Sequence, residues 1–181
     1  MNLWDIEAIV KTEVKNYCRT KGYTKQEGVN NFIPHNCVHA FQMAKMLIKQ
    51  DFDSYLVIAP EGFIYSYFFE QLGARVLSLY TDYPPTRISA TDDLSQIQGK
   101  RVLLIEDDVI GGGTLRLVMG HLSPLSPKEV SLYLGHNRGF LRLQNVPSTI
   151  HKIYLAEDEL ASHDWMQHER EFIEFFSKEV R

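Results

Sequence analysis

Cysteine is scarce in this chain: Cys18 and Cys37 are the only two in 181 residues, too few for a disulfide framework. A surplus of positive charge is also missing, since 19 Lys and Arg face 23 Asp and Glu for a net charge of −4 and a pI of about 6.0. That balance argues against a general affinity for nucleic acid or for an anionic membrane surface. No apolar run approaches the length of a membrane span, and residues 1–7 show no basic segment leading into an apolar one. The expectation is a cytoplasmic protein whose partners are small molecules, with neither nucleic acid nor membrane among them. Internal repeats and low-complexity tracts are absent too, which excludes a solenoid or a disordered linker. What is present is a 44% hydrophobic composition, enough for one domain spanning 1–181 to bury a substantial core without metal or disulfide staples.

Leu3, Ile6, Val10, Val14 and Tyr17 recur at helical spacing up to Gly22, and Val38, Phe41, Ala44 and Leu47 do so after Pro34. Two helices therefore open the chain, joined by a polar surface crossing over 22–34 that contains Asn30-Asn31. Residues 54–59 predict a strand, Pro60-Glu61-Gly62 a break, and 63–72 a helix closed by Gly73. Further strands are expected at 75–80, 102–105, 130–134 and 150–155, with helices after the third strand and the fourth. Residues 164–180 place Trp165, Phe172, Ile173, Phe176 and Val180 on one side of an amphipathic closing helix. Such alternation predicts an α/β fold, a mainly parallel twisted sheet flanked by helices. Ligands collect beyond the carboxyl ends of the strands in such sheets, which singles out the loops 60–63, 81–100 and 107–114. The middle one holds Pro84-Pro85, Arg87, Asp92 and Asp93, carries little apolar content and has the length of a lid.

The stretch 101–115, Arg-Val-Leu-Leu-Ile-Glu-Asp-Asp-Val-Ile-Gly-Gly-Gly-Thr-Leu, carries the most chemistry. An apolar strand buried on both faces ends in adjacent carboxylates, then in a flexible loop, and residues 114–119 begin a helix. Unpaired N–H groups of a first helical turn point outward, the helix dipole favours an anion, and glycine lets the backbone approach closely. Glu106, Asp107 and Asp108 would repel a bare phosphate, so the expected ligand also offers hydroxyl donors or a divalent cation, as a sugar phosphate does. The plainer alternative is a strand-to-helix turn with solvated acids at the strand end.

Residues 102–115 resemble the phosphoribosyl-pyrophosphate-binding motif of the type I phosphoribosyltransferases. The matching parts are the strand Leu103-Leu104-Ile105, the acids Asp107-Asp108, the apolar pair Val109-Ile110 and the loop Gly111-Gly112-Gly113-Thr114. The unit from Leu56 through Pro60-Glu61-Gly62 to Gly73 is similar to that family's pyrophosphate-loop unit, and the likeness covers about 36–135, leaving 1–34 and 136–181 as helical or hood additions. The resemblance implies an enzyme: a Mg²⁺-dependent transferase that replaces pyrophosphate at the anomeric carbon of phosphoribosyl pyrophosphate with a nitrogen acceptor, usually a nucleobase. It further implies that Asp107 and Asp108 hold the ribose 2′ and 3′ hydroxyls and, through them or through water, the metal. By the same likeness Val109, Ile110, Gly111, Gly112, Gly113 and Thr114 bind the 5′-phosphate. Pro60, Glu61 and Gly62 lie beside pyrophosphate, Arg87 closes over the leaving group, and the chain pairs as a homodimer. An alternative alignment uses Glu106-Asp107 as the acid pair and restores the usual loop length, but puts Asp108 where an apolar residue is expected.

A rival within the same fold is a non-catalytic protein that binds phosphoribosyl pyrophosphate or a nucleotide and reports its level; Glu61, where many members carry a basic or neutral residue, favours it. The 102–108 run also resembles the first strand and acids of a phosphorylation-receiver domain, yet 130–154 contains no Asp to accept phosphate. No Lys follows the glycines as a Walker loop requires. His35, Cys37 and His39 invite a metal reading, but Cys37 does not share the histidines' face, so a capping or part-buried pair is expected. Tyr65, Tyr67, Phe68 and Phe69 read as core, Tyr80 and Tyr83 as candidate stacking partners for a base. His136-Asn137-Arg138-Gly139 reads as a polar turn that also has a route to the acceptor side.

Overall fold

The computed structural model describes residues 2–23, 36–82 and 85–179. Helix α1 (Leu3–Thr20) starts at a capping box: Asp5 N–H donates to the Asn2 side chain at 3.1 Å and the Asp5 carboxylate accepts from Asn2 N–H at 3.4 Å, which satisfies two otherwise orphaned donors. It buries Ile6, Val10, Val14 and Cys18. Helix α2 (Cys37–Ile48) is capped by Asn36, whose side chain accepts from His39 N–H at 2.9 Å.

The rest of the chain alternates: β1 (Ser54–Ala59), α3 (Phe63–Gln71), β2 (Val76–Thr81), β3 (Ile88–Thr91), β4 (Arg101–Glu106), α4 (Gly113–Leu122), β5 (Glu129–Leu134), β6 (Ile153–Tyr154), α5 (Ala156–Glu159) and α6 (Trp165–Glu179). The strands form one sheet of order β3-β2-β1-β4-β5-β6, parallel throughout except for antiparallel β3 at the edge. This is the α/β class expected, with β1 and β4 adjacent at its centre.

Because both faces are covered, side chains on the central strands divide by parity. Val57, Ala59, Leu103, Ile105 and Tyr133 join α1, α2, α3 and α6 in one core, which includes Phe41, Phe63, Phe68, Phe172 and Phe176. Leu56, Ile58, Val102, Leu104, Leu132 and Leu134 join Leu115, Val118 and Leu122 of α4, together with Leu94, Ile97 and Leu141, in the other. Among the described residues no helix is long and apolar enough to cross a membrane.

Three expectations need correction. The stretch 81–100 is more structured than a long polar loop: it contains β3 and a 3₁₀ turn, Ser95–Ile97, and it is anchored by Leu94 and Ile97, which are 5% and 0% exposed. Two well-placed apolar residues pin it despite its polar composition. No α-helix follows β5 directly; the chain makes two 3₁₀ turns, Arg138–Phe140 and Leu143–Asn145. The last strand is two residues rather than six, because only Ile153 and Tyr154 reach the β5 ladder, opposite Leu132 and Tyr133. The expected surface crossing near Asn30-Asn31, the residues His35, Tyr83 and Pro84, and Val180 lie outside the described residues.

Candidate functional site

Parallel pairing of β1 with β4 puts Val57 opposite Ile105, so the turn after β1 and the acids after β4 emerge side by side. The turn begins with a cis Ala59–Pro60 bond. It closes through Gly62 N–H donating to Ile58 O at 3.0 Å. A Cβ on Gly62 would stand 2.5 Å from Ile58 O, 2.7 Å from Ile105 O and 2.8 Å from the Val57 side chain. Glycine is what lets this turn lie directly across two strand ends.

Beyond the strands the β4–β5 ladder gains two rungs, with Gly135 N–H donating to Glu106 O at 3.0 Å and His136 N–H to Asp107 O at 2.9 Å. These rungs fix the backbone that presents the acids. Exposure then grades outward: Glu106 and Asp107 are buried and Asp108 is half-buried. The acids also brace one another, Asp107 N–H donating to the Glu106 carboxyl at 2.9 Å and Asp108 N–H to the Asp107 carboxyl at 2.7 Å. Burial, reinforced by the Asp107 charge, holds Glu106 well above the usual carboxylate range. Burial likewise lifts Asp107 to about 6, against the lowering effect of its hydrogen bonding with Glu106. Asp108 is also raised by burial, with His136 opposing.

Other groups face these acids. Burial pushes the Tyr23 phenol up to about 12, and the carboxylates of Glu61 and Asp107 add to it, which places all three in one field. The Tyr65 hydroxyl is raised by burial, with contributions from Tyr133, Asp107 and Asp108. Its ring lies so close to Gly135 that a Cβ there would meet ring atoms at 2.1 and 2.2 Å. The His136 ring sits 6.4 Å from Tyr65 and 6.4 Å from Phe140, edge-on to both. Burial lowers the His136 pKa and Asp108 partly restores it.

The glycine loop is the second half of the site. Gly112 caps α4 with φ +70, a conformation that disfavours any side chain, and a Cβ would also stand 2.3 Å from Asn145 O. Its neighbours hold the loop by its carbonyls. Val109 O accepts from Arg142 N–H at 2.8 Å, Ile110 O from the Asn145 side-chain amide, Gly111 O from the Arg116 guanidinium at 3.0 Å, and Gly112 O from Arg116 N–H at 3.0 Å. With the carbonyls occupied, the donors of the first turn of α4, which have no intrahelical acceptor, remain for an anion. Pro85 touches the loop from the other side, 3.2 Å from a Cβ built on Gly113.

The structure therefore brings Pro60, Glu61, Gly62, Asp107, Asp108 and 109–114 to one end of the sheet. Arg87 is exposed and ion-paired with Asp82 in the β2–β3 hairpin, so the site receives no charge from it in this conformation. Tyr80 is not arranged as a stacking platform: its ring packs edge-on to Phe63 at 5.6 Å and its hydroxyl donates to Lys21 O at 3.0 Å. Tyr23, Tyr65, Arg116 and Asn145 were not legible as site residues. Tyr65 reads as one of several core aromatics, and Arg116 as an exposed helix residue. Its place four residues after Gly112, within reach of the loop on the first turns of a helix, is the signal that points to it.

As for metal, among the described residues no cluster of three or more His, Cys, Asp or Glu side chains is arranged to hold an ion. Adjacent Asp107 and Asp108, with Glu61 nearby in charge, nevertheless suit Mg²⁺, which is commonly bound by one or two carboxylates with phosphate and water oxygens completing its shell.

No family model matches the chain, and no curated protein matches it. Among solved structures it is similar to a hypoxanthine-guanine phosphoribosyltransferase from Bacillus anthracis, at 13% identity and a TM-score of 0.47 over 65% of this chain and 77% of that one. It is also similar to a purine phosphoribosyltransferase from Pyrococcus horikoshii, at 20% identity and a TM-score of 0.48 over 65% and 80% of the two chains. A hypoxanthine phosphoribosyltransferase from Staphylococcus aureus aligns at 16% identity and a TM-score of 0.44 over 70% and 81%. A functional reading therefore rests on the site itself.

Proposed function

We propose that this protein is a Mg²⁺-dependent phosphoribosyltransferase that moves ribose 5-phosphate from phosphoribosyl pyrophosphate to a nitrogen acceptor, a nucleobase or related base, and releases pyrophosphate. The observation that carries the reading is the juxtaposition of two opposite demands at one sheet end. Carboxylates at the end of β4 suit hydroxyls and a cation, while a glycine loop at the start of α4 suits a phosphate. A sugar phosphate satisfies both with one molecule.

In this reading Asp107 and Asp108 accept hydrogen bonds from the ribose hydroxyls. Their negative charge offsets the positive charge that grows at the anomeric carbon as its bond to pyrophosphate breaks; one such preorganised group is worth about 3 kcal/mol of barrier. Glu106, its proton favoured by burial, acts as the brace that orients Asp107. The 5′-phosphate sits on the N–H groups of Gly111, Gly112, Gly113 and Thr114. Bound Mg²⁺ supplies charge neutralisation for pyrophosphate beside Pro60, Glu61 and Gly62. The acceptor approaches past His136, which faces Asp108 and whose ring packs between those of Tyr65 and Phe140.

Two observations favour the second reading, a non-catalytic sensor of the same ligand. Glu61 adds a negative charge felt by Tyr23 and Glu106, where a leaving pyrophosphate would prefer a cation, and Arg87 is tied to Asp82. A pyrophosphate-release assay separates the two. With phosphoribosyl pyrophosphate, Mg²⁺ and a panel of purine and pyrimidine bases, the enzyme reading expects release with at least one base and its loss in Asp107→Asn/Asp108→Asn. Tight ligand binding without release from any base leaves the sensor.

A further inference from the structure

The glycine loop carries no hydroxyl residue before Thr114, and the acids immediately before it oppose an anion. If the loop holds a phosphate, something beyond backbone N–H groups has to supply charge. Arg116 is placed to do so. Its backbone stands four residues after the N-cap Gly112, on the first turns of α4, yet its side chain runs back toward the helix start. There one guanidinium nitrogen donates to Gly111 O at 3.0 Å, and another lies 3.0 Å from where a Gly112 Cβ would be. The loop's other basic neighbour, Arg142, contributes its backbone N–H to Val109 O, and its guanidinium bonds Leu141 O at 3.3 Å.

We infer that Arg116 is a phosphate-binding side chain of the glycine loop, gripping a phosphomonoester between its guanidinium and the N–H groups at the start of α4. The inference rests on the sugar-phosphate reading given above and adds to it the residue that supplies the missing charge. A planar guanidinium offers five N–H donors. With one spent on Gly111 O the others remain for phosphate oxygens, which a guanidinium fork can bind bidentately. The Gly111 bond holds the fork in place beforehand, so less side-chain freedom is lost when the anion arrives. Asn145 has a positioning part: its amide holds Ile110 O, and its backbone carbonyl packs against Gly112.

The test uses the full chain and ribose 5-phosphate as the probe, with ribose as the control, both followed by calorimetry for wild type and Arg116→Gln. The wild type is expected to bind ribose 5-phosphate, and the variant to bind it at least ~10-fold more weakly, the weight of a lost charge-assisted hydrogen bond. Since Arg116 is exposed, the unfolding temperature of the variant should match that of the wild type. Ribose affinity, weak as it is without a phosphate, should not differ between the two proteins. Equal binding of ribose 5-phosphate by both proteins overturns the role of Arg116 and leaves the sugar-phosphate reading standing. No binding by the wild type overturns both, and an equal loss for ribose and ribose 5-phosphate shows a distorted loop rather than a phosphate contact, which also overturns the inference.

Discussion

At the scale of single residues, two positions give sharp expectations. Gly62 lies where any Cβ meets two backbone carbonyls inside 3 Å, and carbonyls of central strands cannot move aside. Gly62→Ala should therefore lower stability by about 1–3 kcal/mol through overpacking, read as a fall in denaturant midpoint; an unchanged midpoint would mean that the turn is free to shift. Asp107 gives a pH expectation. Its folded pKa of about 6 lies above the ordinary 3.8, so between those values the folded chain binds the proton more tightly than the unfolded chain does. Stability attributable to Asp107 is then present at low pH, falls as pH rises through about 6, and levels off above it. Asp107→Asn removes that slope, and near pH 8 the variant should be the more stable protein by about 1–3 kcal/mol. A variant that loses stability equally at acid and neutral pH would contradict the burial of an ionising group here. The acids were visible in sequence as a run of three, but their unequal burial was not, because it depends on Gly135 and His136 extending the ladder from a strand nearly thirty residues away.

At the scale of elements, legibility followed apolar content. Strands β1, β4 and β5 are buried on both faces and read as apolar runs, β5 with Ser131 inside it; α1, α2 and α6 read by period. Helix α6 docks through Phe172 and Phe176, which surround Phe41 at 5.8 and 5.5 Å. Phe176→Ala should cost about 3–5 kcal/mol, and a loss below 1 kcal/mol in chemical denaturation would show that the helix is an appendage rather than part of the core. The segment 81–100 was misread because its strand is four residues of mixed character, paired only at a sheet edge, and its anchors stand apart from any run. Ile97 is fully buried, so Ile97→Ala should cost about 2–5 kcal/mol. A neutral substitution there, measured the same way, would restore the reading of a loose loop. The two 3₁₀ turns after β5 have no period to read at all, and it is these turns that deliver Asn145 to the glycine loop.

At the scale of the whole molecule, a mainly parallel sheet aligns the carboxyl ends of β1, β4 and β5 so that three short segments, far apart in sequence, share one site. The pairing of acids with a glycine loop was readable in one stretch of fifteen residues; the contributions of Tyr23, Tyr65 and Arg116 were not, because Tyr23 begins a polar connection that reads as surface and the other two sit on helices whose local pattern speaks only of helix or core. The account stands or falls on whether acids and loop act together on one ligand. Calorimetry of phosphoribosyl pyrophosphate, with and without Mg²⁺, on the wild type and Asp107→Asn/Asp108→Asn measures that directly. The account predicts binding that strengthens with Mg²⁺ and is lost in the double variant. Absence of binding at millimolar ligand, or binding indifferent to both Mg²⁺ and the two carboxylates, would contradict it.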